Sequence, residues 1–167
     1  MHSDGEPPKK GIWSAGAARQ YSGTLTQVDN CQVGVFLGYA TLHGHTLVDR
    51  RLYVPEKWFG PEWEARRERA SLPEELSFWI KIVLGSEMLA AARNRAHLPY
   101  QWVTAGPAYG HDHDLRQMVD DPGKWYCFEV KSTAEVWSRE PNWQVPEGGK
   151  LGRPRRRKRP TADSPQP

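Results

Sequence analysis

The sequence predicts an α/β protein whose sheet combines hairpin and crossover connections, and three observations carry that expectation. Residues 31–41 and 46–53 read as two strands with a glycine-bearing turn between them. The pattern then switches to helical spacing through Ile82, Val83, Leu84, Met88, Leu89, Ala92 and Ala96, with Pro99 closing it. Finally, two short apolar runs, 101–104 and 125–130, bracket a second helical segment. The resulting order is β-β-α-β-α-β.

Taken in order, residues 1–23 show neither helical nor strand periodicity. Gly5, Pro7, Pro8, Gly11, Gly16 and Gly23 punctuate them as loop and turn. Cys31 to Thr41 is the first expected strand, and it pairs with Thr46 to Tyr53 across Leu42-His43-Gly44-His45, where Gly44 supplies the turn. Residues 55–75 hold Pro55, Pro61 and Pro73, and the charge-dense segment Trp63 to Arg69 is expected to form a short exposed helix. The main helix follows. Gln101 to Thr104 is then a short buried strand, Asp112 to Val119 a helix closed by Pro122-Gly123, and Trp125 to Val130 the last strand.

A chain of 167 residues with 38% hydrophobic and 26% charged residues suits one globular, soluble domain. Its two cysteines, Cys31 and Cys127, lie in strand-like runs and have no metal-ligand spacing to another Cys or His. No apolar run approaches the ~18 residues of a membrane span, and no signal-like stretch opens the chain. We therefore expect no membrane association, a cytoplasmic location, and reduced, buried thiols.

The net charge of +3 conceals an asymmetry, because residues 150–167 carry seven Lys/Arg against one Asp, leaving 16 basic and 19 acidic residues in 1–149. Two regions are thus expected: a slightly acidic body, 1–149, and a basic, Pro-rich tail, 150–167, too polar to fold by itself. Arg153, Arg155, Arg156, Arg157, Lys158 and Arg159 read either as a solvated terminus or as phosphate contacts to DNA.

Short words of aromatic residues and glycine recur along the body. Lys9-Lys10-Gly11 is followed by Ala18-Arg19-Gln20-Tyr21-Ser22-Gly23 and Asn30-Cys31-Gln32-Val33-Gly34-Val35. Then come Asp49-Arg50-x-Leu52-Tyr53-x-Pro55-x-x-Trp58, Trp102-Val103-Thr104-Ala105, Tyr109-Gly110, Trp125-Tyr126 and Gly152-Arg153-Pro154. This series resembles one group of insertion-sequence transposases, the seven-hundred-and-one group of the DDE superfamily, over most of positions 8–160.

The resemblance implies a ribonuclease-H-like mixed sheet flanked by helices, here lacking its central first strand, so that two half-sheets face each other with open edges. It also implies DNA transposition by metal-dependent strand cleavage and transfer. That chemistry uses three carboxylates on two Mg²⁺ ions about 4 Å apart. Matching Pro8-Lys9-Lys10-Gly11 to the family motif puts the first catalytic Asp at Ser3, with Asp4 at the accompanying acidic position, a vestigial catalytic and metal ligand. The second carboxylate is expected in a word resembling Thr-Ala-Asp-Glu-Ala-Tyr-Gly, which here reads Thr104-Ala105-Gly106-Pro107-Ala108-Tyr109-Gly110. The third, a Glu in the family, is expected beyond the basic region and is not in the sequence.

The expectation is accordingly a transposase-family protein that is catalytically inactive alone and binds no metal. Other readings from the same residues are a DNA-binding or regulatory fragment acting with an intact transposase subunit, and a decayed reading frame without a role. Lys9, Lys10 and Arg19 read as phosphate contacts beside the former active site, or as solvated loop charges. Among His111, Asp112, His113 and Asp114, helix capping or exposure outweighs metal binding, because Asp at a helix start commonly accepts from backbone amides.

Overall fold

The computed structural model describes residues 2–5 (backbone), 8–9, 11–23, 25–94, 98–120, 123–146 and 157–161. It divides into two compact units, Met1–Val130 and Lys131–Pro167.

The expected hairpin is the longest ladder of the first unit. Val33–Thr41 (β4) pairs antiparallel with Gly44–Tyr53 (β5). The connection is a two-residue loop, Leu42-His43, and Gly44 follows it with φ +153°, a value that favours glycine. The register shifts between Leu37 and Gly38, where Leu37 faces Asp49 and Gly38 faces Leu47, so Val48 is the extra residue of a bulge.

Residues 1–23 depart from the loop reading. His2–Gly5 forms a strand (β1) that pairs antiparallel with β4, His2 opposite Phe36 and Gly5 opposite Gly34. The edge expected to stand open for lack of a first strand is therefore covered at Gly34–Phe36. Ala18–Ser22 (β2) pairs with Gln27–Cys31 (β3), Ala18 opposite Cys31 and Ser22 opposite Gln27. The hairpin was hidden because its strands are short, largely polar and flanked by glycines, which erases the period-2 signal. The single strand expected over Cys31–Thr41 is also broken at Gln32, whose side-chain amide donates to the Ala15 carbonyl at 2.7 Å.

Two turns of 3-10 helix, Glu56–Phe59 and Pro61–Trp63, lead into Glu64–Arg69 (α1), the short exposed helix expected there. Lys81–Asn94 (α2) is the main helix; Ala96, part of its expected span, lies outside the described residues. Trp102–Ala105 (β6) and Trp125–Phe128 (β7) pair in parallel, with His113–Val119 (α3) in the connection between them. β6 is half-buried by alternation, with Val103 and Ala105 inside and Trp102 and Thr104 outside. In the second unit, Trp143–Gln144 (β8) pairs with Arg159–Pro160 (β9).

One apolar cluster joins these ladders. Val35 and Leu37 of β4 meet Leu84, Met88 and Leu89 of α2, Val103 and Ala105 of β6, and Tyr109, Leu115 and Val119 around α3. The Arg93 guanidinium donates to the Met118 carbonyl at 2.7 Å and ties the end of α2 to the end of α3. Cys31 is buried as expected, whereas Cys127 is exposed, a correction explained by β7 lying at the rim of its two-stranded ladder.

Trp58, the last residue of the Asp49 to Trp58 word, is fully buried, and its indole N–H donates to the Ala17 carbonyl at 3.1 Å. It thereby fastens the start of β2 to the segment that follows β5. Trp58→Ala is expected to destabilise the protein by about 3–5 kcal/mol. Trp58→Phe, which keeps most of the volume but leaves the Ala17 carbonyl without that donor, is expected to cost about 1–3 kcal/mol. Urea denaturation of the three proteins checks both values; equal midpoints would show that the indole is not a structural anchor.

Candidate functional site

The site expected from the sequence would lie where β1 and β6 end. β1 places the backbone of Ser3 and Asp4 beside β4; the Asp4 carboxylate lies outside the described residues. Gly106 follows directly on β6, and a Cβ built there would meet nothing within 4 Å. A carboxylate would fit at this point, but none is present, and Pro107 cannot supply one.

What remains of the word from Thr104 to Gly110 is architectural. The Tyr109 amide donates to the Gly106 carbonyl at 3.0 Å, which closes the turn that leaves β6. The Tyr109 ring is buried in the apolar cluster, and its hydroxyl meets no partner among the described residues. Burial pushes its phenol up to about 12 from the ordinary 10.0. At Gly110 a Cβ would lie 1.9 Å from the Glu129 carbonyl oxygen, so only glycine allows this close backbone approach.

Asp112 is the N-cap of α3, and its Oδ1 accepts from the Leu115 amide at 2.7 Å. His113 Nδ1 lies 3.7 Å from Asp114 Oδ1, yet both side chains project into solvent, Asp114 completely. Among the described residues no group of three or more His, Cys, Asp or Glu side chains is arranged to hold a metal ion. The described residues at the end of β6 thus do not fit a two-Mg²⁺ centre: Gly106 has no side chain, and the Asp112 carboxylate is engaged by the Leu115 amide.

The basic residues fare differently. Pro8 bridges Cys31, and the Lys9 amide donates to the Asn30 carbonyl at 2.8 Å. The Asn30 side-chain amide returns two bonds, to the Lys9 carbonyl at 2.5 Å and to the Gly11 carbonyl at 3.1 Å. On the other side of β3, Arg19 lies directly opposite Asn30. Lys9 and Arg19 are therefore brought into one row across β3, with Arg19 exposed and Lys9 half-exposed. Asn30, missed as an organising residue, had only its place in the Asn30 to Val35 word as a signal.

The rest of the Arg19 to Gly23 word is structural apart from Tyr21, which is exposed. The Gln20 side chain donates to the Cys31 carbonyl at 2.9 Å, and the fully buried Ser22 hydroxyl accepts from the Leu25 amide at 3.2 Å. Arg157, Lys158 and Arg159 of the second unit are exposed. Lys10, Arg153, Arg155 and Arg156 lie outside the described residues. A further cationic feature was not anticipated: Arg66 lies 4.3 Å from the Trp63 ring and 5.9 Å from that of Trp13, and Arg69 is 4.1 Å from Trp13. The clustering of Trp63, Arg66 and Arg69 in the charge-dense segment was its only trace in the sequence.

The model of one protein family, described as DDE superfamily endonuclease, matches residues 6–167. The chain belongs to that family. No curated protein and no solved structure matches it. The family's chemistry uses divalent metal and acts on DNA, and the mixed α/β architecture is consistent with it. No helix among the described residues is long and apolar enough to cross a membrane.

Two outcomes follow from this geometry. Asp112→Ala is expected to lower stability by about 1 kcal/mol, while Asp112→Asn, an equally good cap, leaves it nearly unchanged. Added Mg²⁺ should shift the melting temperature of both variants as it shifts that of the parent; a Mg²⁺ response lost in Asp112→Ala would make Asp112 a ligand instead. Tyr109 carries a pH signature. Its phenol titrates near 12 in the folded chain and near 10 unfolded. The stability it supports is therefore complete below pH 10 and lost as pH rises toward 12, by up to about 3 kcal/mol. Tyr109→Phe should abolish that tyrosine's share of the loss and hold or raise stability at neutral pH, measured by denaturation across the alkaline range.

Proposed function

We propose that this protein is a transposase-type member of the family, of the seven-hundred-and-one insertion-sequence group, in which the metal-binding set is broken and DNA contact is retained. The observation that carries this reading is Gly106. It stands directly after β6, where a carboxylate would fit without displacing anything, in a word that otherwise keeps the residues needed for the turn. Ser3, in β1, is a second break at a position where the motif calls for Asp.

A ribonuclease-H-like sheet is supported by strand order. The antiparallel run β5-β4-β1 and the parallel pair β6-β7 are the two halves such a sheet would have, and they share one apolar cluster. In the family's chemistry three carboxylates acting together position two Mg²⁺ ions for in-line attack at phosphorus. With glycine at one of those positions the remaining side chains bind nucleic acid but do not cleave it.

The DNA-contacting set is Lys9 and Arg19, in one row across Asn30, with Lys10 from the same motif and Arg153, Arg155, Arg156, Arg157, Lys158 and Arg159 of the basic tail, 150–167. Such contacts neutralise phosphates without reading bases, so binding is sequence-independent and salt-sensitive. An intact transposase subunit is the protein partner this role implies, in the cytoplasm where the DNA lies.

Two measurements test this reading. Incubated with Mg²⁺ and supercoiled DNA carrying terminal inverted repeats, the protein is expected to produce no nicks. Nicking that disappears in Asp4→Ala would overturn the loss of chemistry. In fluorescence-anisotropy titrations with duplex DNA, replacing the seven Lys/Arg of 150–159 by Gln is expected to weaken binding at least about tenfold and to reduce the log–log salt slope by up to about 6. The pair Lys9→Ala and Arg19→Ala should cost about threefold or less. Unchanged affinity in the Gln variant would remove the tail from the proposed interface.

A further inference from the structure

α1 sorts its charges by side. Glu64, Arg67 and Glu68 line a cavity of about 250 Å³ with Leu72 and Leu76, whereas Arg66 and Arg69, neighbours on the helix surface, turn to aromatic rings. Arg66 lies over Trp63 at 4.3 Å and over Trp13 at 5.9 Å, and Arg69 lies over Trp13 at 4.1 Å. Lys57 approaches the Trp63 ring at 5.2 Å. The array is anchored to the core, because the Trp63 ring packs 5.3 Å from that of the fully buried Trp58. Among the described residues, none of Lys57, Arg66 and Arg69 forms an ion pair with a carboxylate. Trp13 remains 42% exposed, so α1 does not close its ring off from solvent.

We propose that Trp13, Arg66 and Arg69 bind an unpaired nucleotide of DNA, with the Trp13 indole stacked on the base and the two guanidiniums holding its phosphate. The site rests on the DNA contact proposed above and adds a preference for unpaired strands over duplex. A guanidinium lying face-on over an aromatic ring keeps its N–H donors in its own plane, where they point past the ring and meet two phosphate oxygens at once. An exposed indole beside two such cations fits a ligand that carries a flat π-face next to an anion, and a nucleotide is that ligand. A base paired in a duplex hides both faces in the stack, so only an unpaired one reaches Trp13.

The surroundings extend the site along a strand. Trp13 follows Lys9 by four residues, a span of at most about 14 Å. The turn between them is held where the Asn30 side-chain amide donates to the Gly11 carbonyl at 3.1 Å. A single strand a few nucleotides long can therefore touch the Lys9 and Arg19 row and the Trp13 site together. Because every base has a π-face, stacking there adds affinity without reading sequence.

The test uses the full-length chain with the seven Lys/Arg of 150–159 replaced by Gln, which removes the tail's contribution to any DNA. Fluorescein-labelled oligo-dT of about 12 nucleotides, an abasic strand of equal length and a G·C-rich duplex of equal length are titrated by anisotropy at one salt concentration. Oligo-dT is expected to bind about tenfold more tightly than either the abasic strand or the duplex. Trp13→Ala should remove that preference, while Trp13→Phe, which keeps a π-face, should stay within about threefold of the parent. The preference is a ratio, so partial unfolding of a variant lowers both affinities and leaves it unchanged, whereas loss of stacking lowers oligo-dT alone. Arg66→Lys with Arg69→Lys, which keeps the charge but not the planar fork, should weaken oligo-dT and the abasic strand alike by about threefold. Equal affinity for oligo-dT and the abasic strand, or a preference that survives Trp13→Ala, would overturn the proposal. Should the parent still bind duplex in a salt-sensitive way, only this site falls; should the parent bind no DNA at all, the DNA-contacting reading falls with it.

Discussion

The fold rests on apolar packing between two ladders that are not hydrogen-bonded to each other through any described strand. Val35 and Leu37 of β4 and Val103 and Ala105 of β6 lie in one cluster under α2 and α3. In an ordinary continuous sheet the backbone ladder sets the spacing and side chains refine it. Here side-chain burial must hold the halves in place, since each large apolar residue contributes only about 1.5–3 kcal/mol. The whole domain is stable by about 5–15 kcal/mol, so few such contacts can be lost. This is why the ties that span the halves, Arg93 to the Met118 carbonyl and Tyr39 to the Pro99 carbonyl, matter beyond their own strength.

The same constraint accounts for the residues that follow β6. Tyr109 and Gly110 follow Gly106 by a few residues, and both are indispensable to packing: one fills the cluster, the other lets the backbone approach Glu129. At Gly106 a Cβ would meet nothing within 4 Å. A carboxylate there would serve chemistry alone, since its loss leaves no cavity and no unsatisfied partner, whereas losing Tyr109 or Gly110 would disturb the link between β6 and α3.

Charge is partitioned in a comparable way. The cations proposed to meet DNA are exposed or half-exposed, at Lys9, Arg19 and residues 157–159, while the cleft between β4 and β6 has no charged lining residue among the described residues. Phosphate recognition gains from solvated, long-range charge.

Much of this was legible in the sequence because it is local. The helical spacing of Leu84, Met88 and Leu89 defined α2, Asp112 declared itself as a cap, the glycine at 44 marked the hairpin, and the lack of a side chain at Gly106 was visible as a single letter. Tertiary structure alone decided the rest. β1 and β2 are strands because of the edges they meet, at β4 and β3, and their own composition says loop. Cys127 is exposed because of where β7 sits, and Lys9 joins Arg19 only through Asn30, which bonds backbone far away in sequence. Periodicity and capping are properties of neighbouring residues and can be read from the chain, whereas pairing partners, open edges and the cleft between them exist only once distant segments have met.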